Sequence, residues 1–182
     1  MNWEDVLNFH LINQTDELSG FQYYNICTKA ALIDTETGEI LASTKNFKIT
    51  KEEFRKLIEF FLKLHSGDKL EFDHQIKISN EIYEVVDFDQ DVNDVFLKRH
   101  LGGGVVSCAN YDEAYGVLIV ALFDEQINMK DIDGTFIKQN LEVCSRAVDK
   151  VRNFILNNKN KMNKDKLLIE SDFPPSTSKQ TN

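Results

Sequence analysis

The residues able to carry chemistry are few and scattered. Cys27, Cys108 and Cys144 form an odd set with no CxxC pair, so neither a disulfide framework nor a zinc site is expected. Each reads as a small buried hydrophobe. His10, His65, His74 and His100 stand singly, and no HxxxH or HExxH pair would place two ring nitrogens on one helical face. Asp87-Phe88-Asp89-Gln90-Asp91 begins like a calcium loop, with acids at alternate positions. Such a loop needs Gly at its sixth position and Glu at its twelfth, where this chain has Val92 and Lys98. A solvated connection between two strands fits better. Gly102-Gly103-Gly104 lacks the Gly-Lys-Ser/Thr of a phosphate loop and reads as a turn. No nucleophile, base and orienting group come together, so no enzyme activity, cofactor or metal is expected.

Composition narrows the partners. The 182 residues include 21 Lys+Arg against 30 Asp+Glu, a formal charge of -9. That length suits one domain with a tail. The acidity opposes general affinity for nucleic acid, which draws on clustered Lys and Arg. No apolar run approaches the ~20 residues of a membrane-spanning helix, and Met1-Asn2-Trp3-Glu4-Asp5 lacks a basic signal-peptide start. A cytosolic protein is the expectation.

The elements follow from periodicity. Trp3, Val6, Leu7, His10 and Leu11 recur at helical spacing, predicting a short N-terminal helix. After a polar stretch, Asn13 to Gly20, Lys29 to Asp34 and Glu39 to Ser43 predict two strands joined by a Gly-containing turn. Thr50, followed by Glu52 and Glu53, is placed to cap a second helix through Phe54, Leu57, Ile58, Phe61 and Leu62, ending near Ser66-Gly67. Strand patterns run from Leu70 to Glu125, with turns expected at Asn80, Asp87 to Asp94, Gly102 to Gly104 and Asn110 to Glu113. Val117 to Phe123 is an unbroken apolar run, read as the sheet centre of an antiparallel meander. Ile137, Leu141, Cys144, Val148, Val151 and Ile155 form a helical stripe of over five turns that must cover one sheet face. A narrower set beside it, Phe136, Val143, Ala147 and Phe154, asks for the N-terminal helix as cover. The domain is expected over 1–157. Residues 158–182 read as a flexible Lys/Asn-rich, then Pro/Ser-containing tail, whose 5 Lys and 3 acids leave +2 against -11 for the rest.

The order of elements with Trp3 resembles the profilin family. Met1-Asn2-Trp3 with His10-Leu11 is similar to its start, and Ala30 to Asp34 through Gly38 to Phe47 resembles its first hairpin and helix entry. Phe96 to Gly104 resembles its basic, glycine-rich connection. Val117 to Glu125 is similar to its central strand, and Val148 to Phe154 to the end of its terminal helix. The resemblance implies an α+β fold: a central antiparallel sheet of about six to seven strands, the N- and C-terminal helices on one face and a further helix on the other. It implies a monomeric, cytoskeleton-associated protein that binds monomeric actin and regulates its polymerisation. For the actin surface it points to Lys98, Arg99, Asn110, Lys138 and Glu142, the first two as a basic spot beside an acidic stretch. It also implies a groove for proline-rich ligands at Trp3, Val6, Val151 and Phe154, altered because Val6 replaces an aromatic ring and Phe154 a Tyr. Phosphoinositides, which profilins meet, are opposed by the -11 body. The competing reading is a roadblock- or longin-type scaffold, which begins with a similar hairpin and binds small GTPases or homodimerises.

Overall fold

The computed structural model describes residues 2–16, 20–67, 74–110, 116–158, 162–163 and 166–167. Most of the expected tail, the strand start at Leu70, part of the polar stretch before Gly20 and most of the turn after Asn110 lie outside them. Asn2 opens α1 (Trp3–Val6) with a capping box: its side chain accepts from Asp5 N at 2.8 Å, and the Asp5 carboxylate accepts from Asn2 N at 2.9 Å. The chain continues as a π-helical turn over Leu7–Ile12. Val6, Leu7 and Leu11 face inward, as their spacing predicts.

The main sheet has seven antiparallel strands in the order β4-β3-β9-β8-β7-β6-β5. β3 (Lys29–Asp34) and β4 (Ile40–Ser43) form the expected hairpin. Its turn is set by Asp34, whose Oδ1 accepts from Glu36 N, Thr37 N and Thr37 Oγ1 at 2.8–3.0 Å. Gly38 closes the turn at φ +73°, where a side chain would also press into the Phe54 ring. β5 (Gln75–Ile78), β6 (Glu81–Asp89), β7 (Asp94–Arg99), β8 (Gly102–Asn110) and β9 (Gly116–Asp124) make the meander.

Two sequence expectations shift here. Gly102 to Gly104 are strand residues, and the turn falls at His100-Leu101. The glycines answer to space rather than to backbone angle: a Cβ on Gly103 would collide with the Leu97 carbonyl oxygen. β9 is buried on both faces as expected, but the fourth of the seven positions belongs to β8.

α2 (Lys51–His65) covers one face, opened by Thr50 and Glu53 in a second capping box. α1 and α3 (Leu141–Asn157) share the other. The sheet therefore divides two cores. Leu32, Val105, Ile119 and Phe123 pack toward α1 and α3, whereas Ile33, Val106, Val120 and Leu122 pack toward α2. This alternation is what a strand buried on both sides produces. α3 begins four residues later than the stripe from Ile137 implies, because Asn140 caps it by accepting from Val143 N at 3.0 Å.

Phe136 and Ile137 lie instead in β11 (Phe136–Lys138), part of a second, four-stranded sheet in the order β1-β2-β10-β11. Its other strands are β1 (Gln14–Asp16), β2 (Phe21–Tyr24) and β10 (Asn128–Asp131). Buried Gln139 ties this sheet to the large one: its Oε1 accepts from Thr28 Oγ1 at 2.7 Å and Asp124 N at 3.0 Å, and its Nε2 donates to Asn25 O at 2.8 Å. Beyond α3, β12 (Met162–Asn163) pairs with β13 (Lys166–Leu167).

Candidate functional site

Lys98 and Arg99 are neighbours in β7, and the period of two sends them to opposite faces. Leu97 packs in the α2-side core and Phe96 against the α3-side core. Arg99 therefore points toward α2 and Lys98 toward the α3 side. Arg99 is held inside a network: it lies 3.4 Å from Glu81 and 3.3 Å from Asp124, and donates to His100 O at 2.9 Å. Glu81 also accepts from Lys29 at 3.0 Å and from Tyr83 at 2.7 Å. Partial burial pushes the Glu81 carboxyl up, but the hydrogen bonds from Tyr83 and Lys29 and the charges of Lys29 and Arg99 outweigh it and hold it below the usual carboxylate range. Arg99 thus joins β6, β7 and β9, and the basic spot reduces to Lys98.

Lys98 is exposed and sits opposite Glu84 of β6. Tyr83 is buried toward α2, so Ile82 and Glu84 share the face of Lys98, and Ile82 is 60% exposed. Val86, the extra residue at a bulge in β6, is also exposed. Sequence reasoning saw Ile82 and Val86 as strand residues without seeing that α3, which lies over β8 and β9, leaves this strip open. The signal was present in the alternation from Glu81 to Val86, where apolar residues fall on both faces.

The other candidates separate by position. Lys98 and Arg99 pair with Gly103 and Gly102 at the start of β8, and Asn110 is its last residue. Eight residues of strand put them about 26 Å apart. α3 runs alongside. Gln139, just before it, bonds Asp124 at the Lys98 end. Arg152, near its far end, donates to Asp94 at 2.6 Å and Ser107 at 3.2 Å, and Asp149 also accepts from it. Exposed Glu142, in the first turn of α3, therefore lies toward the Lys98 end and Asn110 toward the other. Lys138 is on β11 rather than on a helix, its Nζ donating to Gln126 O at 3.2 Å. The structure brings Lys98, Lys138 and Glu142 to one end of the sheet.

Trp3, Val6, Val151 and Phe154 all belong to or line the core beneath α3; the π-helical turn packs on α3, whereas α1, which carries Trp3 and Val6, lies chiefly against β4. Val6 and Val151 are fully buried and offer no surface, whereas Trp3 and Phe154 are half-buried. Phe154 lies parallel to the His10 ring, with centroids 4.9 Å apart and planes 22° from parallel. Trp3 Nε1 and His10 Nε2 are both buried without a hydrogen-bond partner. Burial, then the charge of Lys150, lowers the His10 pKa below its ordinary 6.5. All three cysteines are buried, and burial pushes Cys27 up to about 12 and Cys108 up to about 11. Among the described residues no group of three or more His, Cys, Asp or Glu is placed to hold a metal ion, and no helix is long and apolar enough to cross a membrane.

A curled seven-stranded antiparallel sheet with both terminal helices on one face and a third on the other defines a small α+β domain of profilin-like architecture. The profilin family model matches residues 1–160, and the chain belongs to the profilin family. The crystallised profilin of Schizosaccharomyces pombe superposes with a TM-score of 0.54 at 11% identity, over 72% of this chain and 86% of that one. That likeness is one of fold. LokiProfilin2 and LokiProfilin1, each solved in complex with rabbit actin, give TM-scores of 0.46. The first is 12% identical, covering 79% of this chain and 98% of that one. The second is 14% identical, covering 72% and 84%. No curated protein sequence matches. Family membership sets aside the roadblock and longin alternative.

Proposed function

We propose that the protein binds monomeric actin and regulates its polymerisation without chemistry of its own, acting in the cytoplasm on the cytoskeleton. Its surface is the open strip of Ile82, Glu84 and Lys98 on β6 and β7, continued by Lys138 and Glu142. The observation that carries this reading is that strip: an exposed apolar residue flanked by opposite charges, on a sheet face that α3 leaves uncovered. Apolar contact supplies affinity, and the Glu84–Lys98 pair of charges steers a partner into register. Arg99 contributes by holding β7 in place and Asn110 lies outside the surface. Purified protein mixed with monomeric actin should form a one-to-one complex by gel filtration. Lys98→Glu combined with Ile82→Ser should weaken it about tenfold; an undiminished complex would move the site elsewhere.

Binding of proline-rich ligands at Trp3 and Phe154 is the second reading. The half-buried rings of Trp3, His10 and Phe154, with an indole N–H lacking a partner, favour it. Retention of the protein on polyproline resin, lost in Trp3→Ala, tests it. Unretained wild-type protein would leave actin as the sole partner of the pair.

A further inference from the structure

The small sheet turns one face inward and one outward. Tyr23, Met129 and Ile137 pack into the α1–α3 core. The alternate residues then face out, and the pairing sets them in rows. Tyr24 stands opposite Lys130, which stands opposite Phe136. In the next outward row Asn128 stands opposite Lys138. All five are exposed, and Phe136, at 66%, is the most exposed of the aromatic residues described.

Two lysines and two aromatic rings thus share this face, with no carboxylate in their rows. Asp131 of β10 pairs with Tyr23 and lies on the inward register; its carboxylate accepts from Thr135 N at 2.8 Å. Among the described residues Lys130 has no ion-pair partner, and Lys138 reaches only a backbone carbonyl. In a chain of formal charge -9 this is a local reversal of sign beside exposed apolar surface.

The spacing suits one kind of occupant. Lys130 and Lys138 are diagonal neighbours across β10 and β11, about 7–8 Å apart at the backbone. An extended chain repeats its same-side residues at about 7 Å. We propose that the outer face of the small sheet, centred on Tyr24, Lys130 and Phe136, docks an extended acidic peptide segment of a partner protein. Alternate side chains of that segment face the sheet, carboxylates over the lysines and apolar groups over the rings. An anionic membrane shares part of this chemistry, but a broad negative surface would also meet the acidic remainder of the molecule. A short peptide meets the local charges within a screening length of about 10 Å. The face shares Lys138 with the proposed actin surface but goes beyond it, since its centre, Tyr24, Lys130 and Phe136, does not belong to that surface.

The test uses the full chain and a fluorescently labelled synthetic peptide of alternating Glu and Phe, titrated by anisotropy at low and at physiological salt. Saturable one-to-one binding that weakens with salt is expected. Lys130→Glu should lower affinity about tenfold and Tyr24→Ser several-fold, whereas Lys130→Arg and the distant Lys45→Glu should bind as wild type. No saturable binding by wild type, or equal losses in Lys130→Glu and Lys45→Glu, overturns the proposal. So does tighter binding to phosphatidylserine vesicles than to the peptide. Monomeric actin binding by Lys130→Glu, expected unchanged, separates this outcome from failure of the actin reading.

Discussion

The large and the small sheet are held by opposite means. In the large sheet, β8 and β9 are buried on both faces, so nearly every residue is apolar and two cores are filled at once. The small sheet rests one face on the α1–α3 core and is tied at its base by a buried amide, Gln139, with its outer face left to solvent. Burial dictates residue type where it is complete and leaves residue type free where it is not. Both surfaces proposed for partners, the outer rows of the small sheet and the strip of β6 and β7 beyond the reach of α3, lie where burial is incomplete.

That contrast breaks most visibly at Arg152. Removing it with Arg152→Ala strands the Asp94 carboxylate, 1% exposed, and should cost about 3–5 kcal/mol in urea unfolding. Gln139→Leu releases the small sheet by leaving Asn25 O and Asp124 N without their partner. About 2–3 kcal/mol is expected, with faster amide exchange in β2 and β10 than in β8. A cap on the far face is worth less: Thr50→Ala should lower stability by about 1 kcal/mol without altering actin binding.

His10 adds a pH dependence on the α1–α3 side. Its folded pKa lies below the ordinary 6.5, so between the two values the unfolded chain binds more protons. Its contribution is present above pH 6.5 and is lost as pH falls through the folded value. Melting temperature should fall from pH 7 to pH 5.5, with a shallower fall in His10→Phe, which keeps the stack on Phe154. The smallest effect belongs to the outer rows: Tyr24→Ser should change stability by no more than about 0.5 kcal/mol, because that side chain serves no core.

Legibility in the sequence follows the same division. β3, β4, α2 with its Thr50 cap, and β9 announce themselves because burial or a helix terminus restricts what can stand there. The strands of the small sheet are three or four residues long and half solvated, too short for a pattern to stand out. Ile137 looked helical because a strand residue beside α3 happened to extend its stripe. Lys98 and Arg99 looked like one basic spot because linear adjacency hides the alternation of a strand. The glycines of β8 looked like a turn because their cause is the Leu97 carbonyl and the β9 backbone, contacts invisible before the sheet is assembled.

Hydrogen–deuterium exchange of the full-length protein, with and without monomeric actin, tests the central claim most directly. Protection confined to 81–88, 94–99 and 138–145, with α2 unchanged, is the predicted result. Protection centred on α2, or no protection at saturating actin, would contradict it.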